Sequence, residues 1–314
     1  MQRASAISRD HTNRDPMAVR IRRKFASPSL ALLAMTVCGL PLTAQTGEAI
    51  RLIVQGDDMG AGHGINTGTL RAYKQGILRT TNVLMPTPWV AEAARLLKEN
   101  PELDVGIHLT ITSEWSDIRW RPLSVVPSLV GSDGYLFRFV QARSYDAGAS
   151  LAEHHPLTAD IEKELRAQLD LAKKMIPQAT YASTHMGFAA LSPDVGALVK
   201  KLTAEYHLAM AGPELGIQYV RSVWEPSDPN DVRARKLAAR LRTLGPGTWL
   251  MVDHAAVDTE EIRAFGNNGS GVNVAADRSG VVYAWTAPEV LEAVKARSIR
   301  LTNYRELLAT RAKR

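Results

Sequence analysis

Cysteine is nearly missing from this chain of 314 residues, which has one, Cys38. It falls in an apolar stretch near the start, so residues 45–314 contain none. That excludes a disulfide framework and a thiolate metal site there, and leaves nitrogen and oxygen as the only strong metal ligands. Surplus charge is also scarce once it is located. The formal net charge is +6, but residues 1–44 hold seven Lys or Arg against two acids, which leaves +1 for the remainder. A near-neutral body gives no electrostatic case for nucleic acid as a partner. Internal repeats and low-complexity tracts are absent, and the longest apolar run falls short of the ~20 residues that span a bilayer. What is present is an ordinary globular composition, 45% hydrophobic and 22% charged, with ample material for a core.

The first 44 residues read as a leader. A basic cluster at 20–24 precedes an apolar segment at 30–40, and small residues close it at Thr43 and Ala44. This pattern predicts a secretory signal peptide cut after Ala44, with an exported, periplasmic or secreted domain over 45–314 and no stable membrane anchor. A start at Met17 gives a leader of ordinary length. The bulky Val37 before Cys38 argues against a lipoprotein signal.

From Arg51 onward, strand-like and helix-like segments alternate. Strands are predicted over 52–54, 80–85, 103–109, 180–184, 208–211, 218–220, 249–252 and 299–301. Helices are predicted over 65–74, 88–99, 159–175, 193–206, 231–244, 287–296 and 304–310. Such alternation implies an α/β fold with a parallel sheet, open or closed into a barrel. Residues 112–158 form a long aperiodic insertion of the kind that covers or lines a site. A loop rich in Gly and Asn occupies 266–271.

The chemistry-bearing residues gather at predicted C-terminal strand ends, where sites in such folds form. The apolar run Leu52-Ile53-Val54 leads into Asp57-Asp58, two adjacent carboxylates that repel each other and are costly to bury without a cation. An alternative is that Asp58 caps the helix beginning near His63. Other strand ends carry His108, His185 and His254. A single histidine in such a place is commonly a hydrogen-bonded core residue. Three at equivalent ends, beside two aspartates, form a nitrogen and oxygen set suited to Zn²⁺ or another divalent ion such as Mg²⁺. His63, His154, His155 and His207 fall on loops or helices and read as surface or lining residues. Gly60, Gly62 and Gly64 follow a strand but miss the dinucleotide-binding spacing, and Asp57-Asp58 would repel a pyrophosphate.

The sequence resembles the YdjC-like carbohydrate deacetylases, the group of chitooligosaccharide and hopanoid deacetylases. The resemblance rests on Asp57-Asp58-Met59-Gly60, Asn66, Gly106-Ile107-His108-Leu109, Ser183-Thr184-His185 and Asp253-His254-Ala255, with weaker matches at Pro127-Ser128-Leu129, residues 164–168, Arg221 and residues 299–301. It implies a distorted (β/α) barrel of the glycoside hydrolase and deacetylase type, often paired as a homodimer. It also implies that Asp58, His108 and His185 hold one divalent metal ion, that Asp57 is the general base and that His254 is the general acid. The implied activity is metal-dependent removal of an acetyl group from an N-acetylated sugar or oligosaccharide, a hydrolase reaction on a non-peptide C–N bond. The chain departs from the pattern by carrying Ser183 where relatives carry Asp, Gly187 where they carry a second His, and Ala255 where they carry Pro. Two other functions share the motif, a metal-dependent hydrolase of another amide and a sugar-binding protein that has lost catalysis. Trp115 or Trp120, with Tyr135 and Phe137, are expected to line a sugar groove, the alternative being a small core beneath the insertion.

Overall fold

Ten residues, Ile50–Met59, form strand β1, around which the rest of the sheet is arranged. The description is of a computed structural model and covers residues 49–221, 223–266 and 273–311. The predicted leader with its cleavage position, Cys38, and the loop from 267 to 271 lie outside the described residues. In chain order, β1 is followed by α1 (His63–Gln75), β2 (Thr80–Val83), α2 (Val90–Glu99) and β3 (Asp104–Leu109). The insertion holds a 3₁₀ turn at Pro127–Leu129 and the short α3 (Leu151–His154). Then come α4 (Thr158–Met175), β4 (Tyr181–Thr184), α5 (Pro193–Glu205), β5 (Ala209–Met210) and β6 (Gln218–Tyr219). The chain continues with α6 (Asn230–Arg242), β7 (Gly247–Asp253), α7 (Glu260–Arg263), α8 (Val274–Thr286), α9 (Pro288–Ala296), β8 (Arg300–Thr302) and α10 (Tyr304–Arg311).

All strand pairs are parallel, in the order β5-β4-β3-β2-β1-β7-β6. Among the described residues β5 and β6 do not pair, so the curled sheet is a half-barrel rather than a closed ring. This is the distorted parallel (β/α) barrel expected from the sequence. β1 is long enough to be shared. β7 runs beside it from Ile50 to Gly56, β8 meets it at residues 51–53, and β2 takes over from Gln55. Covered on both faces, β1 reads as a continuous apolar run, with Leu52, Ile53 and Val54 fully buried.

The helices follow from local chemistry. Buried residues Ile161, Leu165, Leu169 and Ala172 repeat at helical spacing along α4. Ser192 caps α5 by accepting from the Val195 N–H, with Pro193 at the first turn. The helix predicted over 287–296 is α9, but the chain forms α8 before it as well. α8 is buried on most sides, through Val274, Ala275, Arg278, Val281, Val282, Ala284 and Trp285, so no polar face gave it a period to read. None of the described helices is long and apolar enough to cross a membrane.

Two glycines allow approaches that a side chain would block. A Cβ on Gly106 would stand 2.5 Å from the Tyr181 ring, which lies against β3. A Cβ on Gly68 would stand 2.5 Å from the Ala256 backbone, which is how α1 packs onto the loop after β7. That loop is further held by Val257 N–H to Gly64 O at 2.9 Å and Ala256 N–H to Arg278 O at 3.2 Å. His254, at its start, is thereby placed between α1 and α8.

Candidate metal centre and active site

Consecutive residues in a strand point to opposite faces, so Asp57 and Asp58 would ordinarily diverge. They do not. Asp58 has φ 69°, a left-handed conformation uncommon for a residue with a side chain, and the register of β1 against β2 is irregular between Gly56 and Met59. As a result one oxygen of each carboxylate, Asp57 Oδ2 and Asp58 Oδ1, lies 3.7 Å from the same atom, His108 Nε2. The Asp58 N–H donates to Asn82 Oδ1 at 3.2 Å, which helps hold this backbone. The strain of such a conformation, about 1–3 kcal/mol, commonly sits at functional sites. Asp58 does not cap the first helix: α1 begins after Gly62 with no side-chain cap.

Three ligand-type atoms converge. His185 Nδ1 lies 3.3 Å from His108 Nε2 and 3.5 Å from Asp58 Oδ1. Asp58, His108 and His185 are all buried and together form a group of metal-ligand spacing. Their outer atoms are each held from behind. His108 Nδ1 bonds to Ser183 Oγ at 2.7 Å, His185 Nε2 to Glu114 Oε2 at 2.8 Å, and Asp58 Oδ2 accepts from Arg278 Nη2 at 2.8 Å. Asp58 Oδ1, facing inward, is buried and has no hydrogen-bond partner. A buried carboxylate oxygen left unpaired is costly, and a cation relieves it. Ligand atoms held about 2.0–2.1 Å from a tetrahedral ion lie about 3.4 Å apart. The residues therefore fit a divalent ion.

Asp57 and His254 flank this cluster. Asp57 Oδ1 accepts from Gln55 Nε2 at 2.7 Å and Asn82 Nδ2 at 2.8 Å, so Oδ2 is the oxygen left for chemistry. His254 Nε2 lies 3.6 Å from Asp58 Oδ2, and its side chain is 41% exposed. A cavity of about 170 Å³ opens beside it, lined by Glu114, Trp115, His254, Val274, Asp277 and Arg278.

Charges at the site are strongly interdependent. Burial alone would raise the Asp58 carboxyl, but His254, Arg278 and His185 outweigh it and hold it well below the usual range. Burial lowers His108, against the pull of Asp57 and Asp58. Burial also works against a charge on His185, yet Glu114 and Asp58 push it up to about 10. His254 is raised as well: burial opposes its charge, but Asp58 and Asp253 favour it.

The five residues singled out from the sequence, Asp57, Asp58, His108, His185 and His254, thus come together. Asn82, Glu114 and Arg278, which hold them, were not singled out. Glu114 is a lone acid in an aperiodic stretch, and Arg278 sits on the helix that went unpredicted. The groove of aromatics is only partly formed. Trp115 lines the cavity, but Trp120 is buried with its Nε1–H donating to Thr112 O at 2.9 Å. Phe137 stacks on His154 at 4.1 Å, and the guanidinium groups of Arg119 and Arg121 both pack on the Tyr135 ring. Phe137 and Tyr135 pack within the insertion, and Trp120 is buried against the ring of His185 at 6.2 Å rather than lining the cavity. His63 pairs with Glu92 at 3.0 Å and stands apart from the cluster.

Fold and site together define a class: parallel α/β proteins whose strand ends carry a buried Asp, His, His cluster of metal-ligand spacing. Within that class, the model of the YdjC-like protein family matches residues 51–296, and the chain belongs to that family. A carbohydrate deacetylase of Thermus thermophilus is 30% identical over 233 residues, 68% of this chain and 80% of that protein. One from Geobacillus stearothermophilus is 35% identical over 156 residues, 50% of this chain and 57% of that protein. The crystal structure of an Enterococcus faecalis protein named for cellobiose-phosphate cleavage matches with a TM-score of 0.64 at 21% identity, covering 82% of this chain and 99% of that one. That likeness bears on the fold alone.

Proposed function

We propose that the chain is a metal-dependent carbohydrate deacetylase, removing acetyl from an N-acetylated sugar or oligosaccharide. Relatives named carbohydrate deacetylase support the reaction class. The observation that carries the mechanism is the convergence of Asp58 Oδ1, His108 Nε2 and His185 Nδ1, with that carboxylate oxygen unpaired and every outer atom bonded. Asp58, His108 and His185 would hold the ion, which when bound polarises the acetamide carbonyl and makes water more acidic. Two imidazoles and one carboxylate favour zinc over magnesium, which prefers an all-oxygen shell. Asp57 Oδ2 accepts the proton of the attacking water. His254, protonated through its neighbouring carboxylates, gives a proton to the departing sugar amine. The C–N bond breaks, and acetate and a free amine leave. Trp115 walls the cavity and excludes water there.

The test is metal analysis of the purified protein combined with acetate release across N-acetylated sugars. About one divalent ion per chain, with acetate release abolished by chelation, is expected. A protein that deacetylates after complete chelation, or that cleaves other amides and no acetylated sugar, would overturn the reading. The leader sequence supports export with cleavage after Ala44. Mass spectrometry of the natural protein should find its N-terminus at residue 45, and an intact leader on a cytoplasmic protein refutes this.

A further inference from the structure

Glu114 is placed where the insertion meets the metal cluster. Its carboxylate is mostly buried and faces a ligand ring rather than solvent, with Oε2 2.8 Å from His185 Nε2. It has no other side-chain partner among the described residues. That bond occupies Nε2 of His185 and leaves Nδ1 as the ring atom facing inward at Asp58 and His108, free to act as a ligand once its proton is lost. His108 has no such carboxylate: its outer nitrogen rests on the Ser183 hydroxyl.

The backbone around Glu114 is tied to the far end of the insertion. Its carbonyl accepts from Arg138 Nε at 2.9 Å, and the Ser113 N–H donates to Phe137 O at 2.9 Å. Arg138 is paired in turn with Asp146, and its N–H bonds to Ala149 O at 2.9 Å. The Trp120 N–H donates to Ser113 Oγ at 3.0 Å, and the Trp120 ring lies 6.2 Å from that of His185. Among the described residues, the Glu114 carboxylate is the hydrogen-bonded link from residues 113–149 to a ring of the cluster, with the Trp120 ring packed beside it.

We propose that Glu114 is a positioning residue of the metal centre, and that through it the docking of the insertion and the binding of metal are one coupled equilibrium. The inference rests on the reading of the cluster as a metal site. Coupling is reciprocal: if the docked insertion raises metal affinity by some factor, bound metal favours the docked insertion by the same factor.

The experiment uses the metal-free full-length protein as wild type, E114Q and E114A. Each is titrated with Zn²⁺ against a chromogenic chelator, and amide hydrogen exchange at Ser113 and Trp120 is followed with and without Zn²⁺. E114A should bind Zn²⁺ about 10–100-fold more weakly. E114Q, which keeps an acceptor but not the charge, should fall between, because charge-assisted bonds are about twice as strong as neutral ones. Zn²⁺ should slow exchange at both amides in the wild type and not in E114A. Wild-type affinity in E114Q overturns the proposal even if E114A does not fold. So does wild-type exchange that is indifferent to Zn²⁺. A wild-type protein that binds no divalent ion instead refutes the metal reading itself.

Discussion

Asp58, His108 and His185 leave the ends of three strands, whereas Glu114 and Arg278, which hold two of them, come from a loop and a late helix. The strand ends are fixed by the parallel register of the sheet and cannot shift without breaking it. Among the described residues the covering insertion has no continuous ladder and is held by isolated backbone bridges, arginine bonds and aromatic contacts. The frame sets which atoms meet, and the cover sets their charge and orientation. Substitutions in the frame should then abolish the site, while those in the cover should tune it.

The largest effect is expected from Asp58→Asn. It removes the inward oxygen's charge and the partner of buried Arg278, so metal content should fall toward zero by elemental analysis. Breaking a buried pair of this kind costs about 3–5 kcal/mol, read as a lower denaturation midpoint. A variant that keeps both metal and midpoint would show that β1 does not set the site. Next is Asp57→Asn, which keeps size and most hydrogen bonds. It should retain metal while kcat falls about 10²–10⁴-fold, the range for a positioned base. Loss of metal in this variant would show that the roles of the two aspartates are reversed.

A smaller effect, and one that belongs to the cover, is the pH dependence of metal affinity. His185 is raised to about 10 by Glu114 and Asp58, although burial opposes its charge. Below that value its Nδ1 carries a proton that a ligand must lose. Affinity should therefore rise with pH, about tenfold per unit for one displaced proton. Calorimetry in buffers of different ionisation enthalpy should register its release near pH 7. Flat affinity between pH 6 and 8 contradicts this. The smallest effect is expected from Trp120→Phe, which loses the bond to Thr112 O and little volume. It should cost about 1 kcal/mol of stability and leave KM unchanged, while Trp115→Ala should change KM. A KM effect at Trp120 would restore it to the substrate groove.

The same division explains what the sequence made legible. Asp57, Asp58, His108, His185 and His254 could be found because each follows a strand-like segment. The parallel α/β sheet could be found because those segments alternate with amphipathic helices such as α4, whereas the distorted barrel is implied by the family resemblance. Arg278 could not, because α8 is apolar nearly all round and its one buried cation has no period. Glu114 could not, because nothing local distinguishes it from a solvated loop acid until His185 arrives from 71 residues away. The aromatics of the insertion left two readings open for a related reason. Rings at Trp120, Phe137 and Tyr135 serve equally to bind sugar or to hold a segment without regular backbone pairing, and only the packing separates the two.

The placement of β1 also bears on how the protein comes into being. It is made first among the described strands, yet its long neighbour β7 begins almost two hundred residues later, with Ile50 paired to Gly247, and β8 later still. A ribosome adding roughly 5–20 residues per second leaves one edge of the central strand bare for ten seconds or more. Pairings this distant in sequence also form slowly. The apolar run Leu52-Ile53-Val54 is then an unpaired ribbon in need of shelter, and Asp57 and Asp58 have no companions. The pocket at the strand ends is therefore a late event in synthesis, completed when β7 and β8 return to β1.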